Sequence, residues 1–207
     1  MGCDIHNHIE YKRTVNGEEK WFCGDYFKVN PYYERGDKYE RKLELVPFCE
    51  NRNYGLFSLL ADVRNYGGNE PISQPRKLPK DLSKEVKADA RRWGIDGHSH
   101  SYFTLQELIK YESTHKTIKE SGYISPKSAE LLDNYGIPPE EWCQWTSIES
   151  WVYREWQRSD NSIANLIEEM KKRAAELYVI YKYMWEQEPE EAYKRAENIR
   201  IVFWFDN

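Results

Sequence analysis

Cysteine is scarce in this chain. Cys3, Cys23, Cys49 and Cys143 are widely scattered and form no CxxC pair. That argues against a sulfur-rich zinc site or a disulfide framework and for reduced thiols. Long apolar runs are missing too, so no membrane span is expected. The N-terminus lacks the charged-then-apolar order of a signal peptide, because Asp4 and His6 stand where the apolar stretch would begin. A cytoplasmic location follows as the expectation. Positive charge is not in excess: the formal net charge is −5, which disfavours a long nucleic-acid partner. GxGxxG and Walker-type loops are absent, as is a GxSxG elbow, so standard dinucleotide, triphosphate and serine-hydrolase sites are not supported. Histidine is also rare, with five in 207 residues, which makes its placement informative.

What is present suits one soluble domain over residues 1–207, with 40% apolar and 31% charged residues. Eight Trp and sixteen Tyr can build pockets with an apolar body and polar tips. CDIHNHIEYKR alternates as a strand does, Asn16-Gly17 signals a hairpin turn, and KWFCGDYFKV returns as a second strand. KLELV reads as a short strand. YGLFSLLADVRN is a helix with Leu56, Leu59, Leu60 and Val63 on one face. LSKEVKADARRWG is a helix stopped by Gly94, and Thr104 with Glu107 forms a capping-box pattern ahead of TLQELIKYES. IDGHSHSYF reads as a loop, SPKSAELLDNYG and PPEEWCQW as helical pieces, and SIESWVYREWQR is ambiguous. The longest helix runs over 161–186, with Ile163, Leu166, Ile167, Met170, Ala174, Leu177 and Tyr181 as its stripe. PEEAYKRAENI is a further short helix begun at Pro189, and IRIVFWFDN is a buried strand. Strands at both ends with helices between predict an α+β fold: a small mixed or antiparallel sheet containing both terminal strands, covered by several helices.

On a strand over residues 3–11, Cys3, Ile5, Ile9 and Tyr11 face a core, with Asn7 breaking the pattern. Asp4, His6, His8 and Glu10 share the opposite face. A His-x-His pair there puts two imidazoles within reach of one cation, and a neighbouring carboxylate supplies an oxygen ligand or fixes a tautomer. His98 and His100 form a second such pair. With Asp206 these histidines are candidate ligands for a divalent transition metal, Zn, Mn, Fe or Ni. Asp4 and Glu10 are the candidate catalytic carboxylates, as ligand, orienting group or general base. The bland alternatives stay open: a solvent-facing polar strand for His6 and His8, a serine-bonded turn for His98 and His100, and a strand-ending carboxylate for Asp206.

Arg52, Arg64 and Arg76, with Lys77, flank the first helix and the proline loop, where arginine forks suit phosphate oxygens. Tyr54, Tyr66 and Trp93 are candidates to stack a base. Residues of these types are more often salt-bridge or packing residues. Gly67-Gly68 reads either as a lid hinge or as a plain connector. His115 stands alone at a helix end.

DIHNHI is similar to the first-strand His-x-His of amidohydrolase and PHP-type metal-dependent hydrolases. The rest of the chain departs from them: strands and helices do not alternate, and the length is short for a closed eight-strand barrel. Their chemistry is carried over here and their fold is not. Across the whole chain, GCDIHNHIE, RNYGLF, PRKLP, GHSHS, LQEL and VFWFDN, in that order, resemble a family of uncharacterised phage and bacterial proteins. This resemblance implies a phage-related origin and, by analogy, a role in countering host defence through nucleotide signals. The leading expectation is a metal-dependent hydrolase of a small phosphorylated or nucleotide-like substrate. The alternative is a non-catalytic, homo-oligomeric binder that sequesters a small anionic or nucleotide-like ligand. A third is an acidic inhibitor that binds a host protein.

Overall fold

Asn16 and Gly17 both adopt left-handed backbone, at φ 53° and 79°, the two-residue turn whose twist matches that of paired strands. They join β1 (Asp4–Val15) to β2 (Glu18–Cys23). The computed structural model describes residues 2–36, 42–48, 52–185 and 195–206. After β2 come β3 (Phe27–Val29), β4 (Leu43–Leu45), α1 (Tyr54–Ala61), α2 (Lys84–Trp93), β5 (His98–Thr104) and α3 (Leu105–Glu112). Then follow β6 (Thr117–Ile124), α4 (Pro126–Tyr135), β7 (Val152–Ser159), α5 (Ser162–Trp185) and β8 (Ile199–Asp206). The protein is α+β, and its largest sheet contains the first and last strands. No helix among the described residues is long and apolar enough to cross a membrane.

Two compact units make up the chain. The first comprises Met1–Arg52, Pro75–Lys110 and Asn165–Asn207. Its antiparallel sheet has the order β2-β1-β8-β5. β8 is paired on both sides, and residues Ile199 to Phe205 are all buried. A strand between two others, covered on both faces, needs apolar side chains in both directions, which IRIVFWF supplies. Each such side chain is worth roughly 1.5–3 kcal/mol when fully buried. On one face Val202 and Trp204 pack with Val86 and Ala90 of α2. On the other face Tyr11 and Leu177 of α5 share a cluster, and Phe203 lies beside Phe103 and Phe205. Ser83 caps α2 by accepting from the Val86 amide. Thr104 and Glu107 form the reciprocal capping box on α3, with Glu107 Oε2 2.8 Å from the Thr104 amide and Thr104 Oγ1 3.2 Å from that of Glu107.

The second unit comprises Asn53–Gln74 and Tyr111–Ala164. β6 and β7 pair antiparallel along their full lengths. Ile124, Ala129 and Trp156 form its core, with Leu132, Trp142 and Val152 against them. Ser125 caps α4 with Pro126 in its first turn, and Gly136 ends it in the left-handed conformation. Asn69 bonds Lys119 on β6 twice, donating to its carbonyl at 2.9 Å and accepting from its amide at 2.8 Å.

Several elements differ from the sequence expectation. GHSHS is strand rather than loop: β5 pairs with β8 through a bulge between His98 and Ser101. The segment KWFCGDYFKV is two strands, broken at Gly24-Asp25-Tyr26. PPEEWCQW is irregular, tied to β6 by the Tyr123–Cys143 bridge, with Trp142 packed edge-on against Trp156 of β7 and Trp145 exposed. SIESWVYREWQR resolves into β7. The expected stripe of α5 is buried at Ile163, Leu166, Ile167, Met170, Ala174 and Leu177. The helix expected from Pro189, like Cys49 and the side chain of Tyr181, lies outside the described residues.

Candidate functional site

Alternation along β1 carries Asp4, His6, His8 and Glu10 to one face of the sheet, opposite Asp206, Trp204, Val202 and Arg200 of β8. Their surroundings then separate them. Glu10 is fully buried, and its Oε2 accepts from Arg200 Nε at 2.7 Å. Its Oε1 accepts from the Ser83 amide at 2.8 Å, at the cap of α2. Arg200 also reaches Asp81 at 2.8 Å and stacks over Trp21 at 4.0 Å. Glu10 is thus bound into a buried ion network that ties the sheet to the start of α2. At the other end of the face, Asp4 is exposed and receives Arg52 through two contacts of 2.7 Å.

His8 sits between two carboxylates. β2 ends at Cys23, and Asp25 continues along the β1 edge in its place: its Oδ1 accepts from the Ile9 amide at 3.0 Å, while its Oδ2 accepts from His8 Nδ1 at 2.7 Å. The opposite nitrogen, Nε2, lies 3.4 Å from Asp89 Oδ2 of α2, close enough for charge attraction but not aligned as a hydrogen bond. Burial works against charge on His8, yet the hydrogen bond to Asp25 and the pull of Asp25 and Asp89 outweigh it and push its pKa up to about 9. Burial likewise opposes ionisation of Asp89, but His8 and then Arg92 hold its carboxyl below the usual range. Burial and then the nearby Asp25 push the Cys23 thiol up, which disfavours the thiolate.

His6 occupies the wall of a cleft of about 430 Å³, lined also by Lys28, Glu44, Leu45, Pro47, Asp89, Arg92, Trp93 and Asp96. Its ring lies 3.7 Å from that of Trp93, centroid to centroid. Its Nε2 is 3.5 Å from Asp206 Oδ2, without hydrogen-bond alignment. Burial lowers its pKa, partly offset by Asp206, so the imidazole is held toward the neutral form that can ligate or accept a proton.

The second histidine pair is split. The bulge sets His98 opposite Phe205, with rings 6.1 Å apart, while His100 lies 5.9 Å from Trp204. Phe205 and Trp204 are consecutive on β8 and point to opposite faces. Trp204 also lies 6.0 Å from His6 and 5.0 Å from His8. Because β8 runs between β1 and β5, the buried indole stands between His6 and His8 on one side and His100 on the other.

The fold therefore brings together His6, His8 and Asp206, and adds Asp25, Asp89 and Arg92, which the sequence reading did not single out. The signals for Asp25 were the Gly24 break after a strand; for Asp89, its place one helical turn before Trp93. Arg76 is engaged with Glu107 at 2.6 Å and lies over Phe103. Tyr54 and Arg64 belong to the second unit, beside Phe57 and Tyr66 respectively. His115 stacks on Tyr111 there.

As a donor set, His6 and His8 each present a buried Nε2 without a hydrogen-bond partner, and His8 Nδ1 carries the carboxylate partner typical of a metal-ligating histidine. Among the described residues, however, no three His, Cys, Asp or Glu side chains are gathered closely enough to hold one ion. No family model matches the sequence, and neither the curated proteins nor the solved structures contain a significant match to it.

Proposed function

We propose that the His6–His8 face is the centre of a metal-dependent hydrolase acting on a small phosphorylated or nucleotide-like substrate. The observation that carries this reading is the state of His8: Nδ1 is fixed by Asp25, and Nε2 is left toward Asp89 on the face shared with His6. A bound Zn, Mn, Fe or Ni ion would be held by His6, Asp89 and His8, the last with loss of its Nε2 proton, with Asp206 beside them. Such an ion supplies Lewis acidity and an activated water. The chain's own part is to orient His8 through Asp25, to keep His6 toward neutrality by burial, and to present Arg92 and Lys28 at the cleft for phosphate oxygens. Drawing the donors onto one ion requires Asp89 and the imidazoles to close by a side-chain adjustment. The resemblance to phage and bacterial proteins directs the search toward nucleotide signals of host defence.

One observation favours a second reading. Among the described residues, no third donor is gathered beside the two histidines, and Lys28 and Arg92 line the cleft, which suits a site that holds an anion through these cations without altering it. Sequestration of a nucleotide signal is then the function. The two readings separate when purified protein is titrated with Zn, Mn and Ni by calorimetry and incubated with a panel of cyclic nucleotides. Metal binding with metal-dependent product supports hydrolysis. Ligand recovered intact after denaturation supports sequestration. No metal binding and no retained ligand removes both.

A further inference from the structure

The first unit carries a second cavity, of about 590 Å³, on the other side of α2. Its floor is apolar: Leu78, Leu82 and Ala90 belong to or pack against the cluster of Val86, Val202 and Trp204. Its rim holds Lys80, Lys87 and Arg91, and no Asp or Glu lines it. All three cations are exposed, and none forms an ion pair with a described residue. Neighbouring charges on the same helix behave differently: Lys84 lies against Glu85, and Arg92 against Asp89. In a chain of net charge −5, three uncompensated cations grouped over an apolar floor concentrate positive potential at one concave place.

Helical spacing keeps this cavity separate from the His6 cleft. At 100° per residue, Asp89, Arg92 and Trp93 fall on one side of α2, while Lys87, Ala90 and Arg91 fall on the other. The volume lies within the range of small-molecule sites, roughly 300–1,000 Å³. A guanidinium fork with two mobile ammonium groups matches the charge and geometry of a terminal phosphate. The leucine floor matches a ring or hydrocarbon body.

The geometry points to an accessory binding site for an organic phosphate, with the phosphate on Lys80, Lys87 and Arg91 and the apolar body on Leu78 and Leu82. It stands whether or not the His6 face holds a metal. The test titrates the full chain with the fluorescent N-methylanthraniloyl ester of AMP, in parallel with a Lys87→Glu/Arg91→Glu variant. A Lys42→Glu/Lys127→Glu variant makes the same charge change on exposed lysines elsewhere. A His6→Ala variant reports any binding at the cleft. The expected result is saturable binding, weakened about tenfold or more in Lys87→Glu/Arg91→Glu and unchanged in Lys42→Glu/Lys127→Glu, with any component lost only in His6→Ala assigned to the cleft and a rim-dependent component remaining in that variant. AMP competes and adenosine does not. Equal weakening in both charge variants, loss of binding only in His6→Ala, effective competition by adenosine, or no saturable binding would each overturn the proposal. Unchanged melting temperatures, since both rim residues are exposed, confirm that the variants remain folded.

Discussion

His8 donates from Nδ1 to Asp25 Oδ2 across 2.7 Å, although both side chains are almost wholly buried. The same carboxylate accepts the Ile9 amide, so the β1 edge and the imidazole are fixed by one group. Replacing Asp25 by Asn keeps the size and removes the charge. The His8 ring then titrates at lower pH in NMR, because burial is no longer balanced by two carboxylates. Metal affinity at the proposed centre falls about 10- to 100-fold. A ring pKa in Asp25→Asn equal to that of the wild type would show that Asp25 is not what holds the proton.

The pH dependence of stability follows from the same pair. His8 has an ordinary pKa of 6.5 and a folded value of about 9, so the folded state binds its proton more tightly. The stabilisation is fully present below pH 6.5, where both states are protonated, and is lost as pH rises through 9. It is on the order of 3 kcal/mol at most. Urea denaturation of chelator-treated protein from neutral to alkaline pH should show this decline, and His8→Gln should flatten it. A stability that rises across that interval would contradict the assignment.

Glu10 and Arg200 test a different role on the same face. Both are buried and bonded at 2.6–2.7 Å. Glu10→Gln leaves the guanidinium undercompensated and costs roughly 3–5 kcal/mol in chemical denaturation. A Glu10→Met/Arg200→Met double variant recovers much of that loss. If Glu10 instead acts on a substrate, Glu10→Gln lowers turnover with little change in stability.

In the second unit, a Cβ at Gly67 would lie 1.9 Å from the Lys119 carbonyl oxygen of β6. Gly67→Ala must push apart two backbone segments, at a cost of about 1–3 kcal/mol. Hydrogen exchange should show faster opening of the β6 amides. Wild-type protection in Gly67→Ala would indicate that the segment can move away freely, as a lid hinge would.

What the sequence determined by itself was the content and the faces of its elements. Strict alternation in DIHNHIEYK, the Asn16-Gly17 turn, the Thr104–Glu107 cap and the apolar stripe of the long helix are local patterns, and local patterns are governed by side-chain spacing and backbone preference. His6 and His8 share a face for that reason alone, and the doubly apolar IRIVFWF implied a strand covered on both sides. The strand character of GHSHS and of VYREWQRS was not legible, because pairing partners distant in the chain decided it. The partners of the histidines were equally hidden. Asp25 reaches His8 only because β2 stops early, Asp89 only because α2 packs on Val202 and Trp204, and Trp204 separates His6 and His8 from His100 only because β8 runs between β1 and β5. Tertiary structure settled these points because hydrogen bonds and charge attraction act over a few ångströms in space, and sequence spacing does not fix that distance.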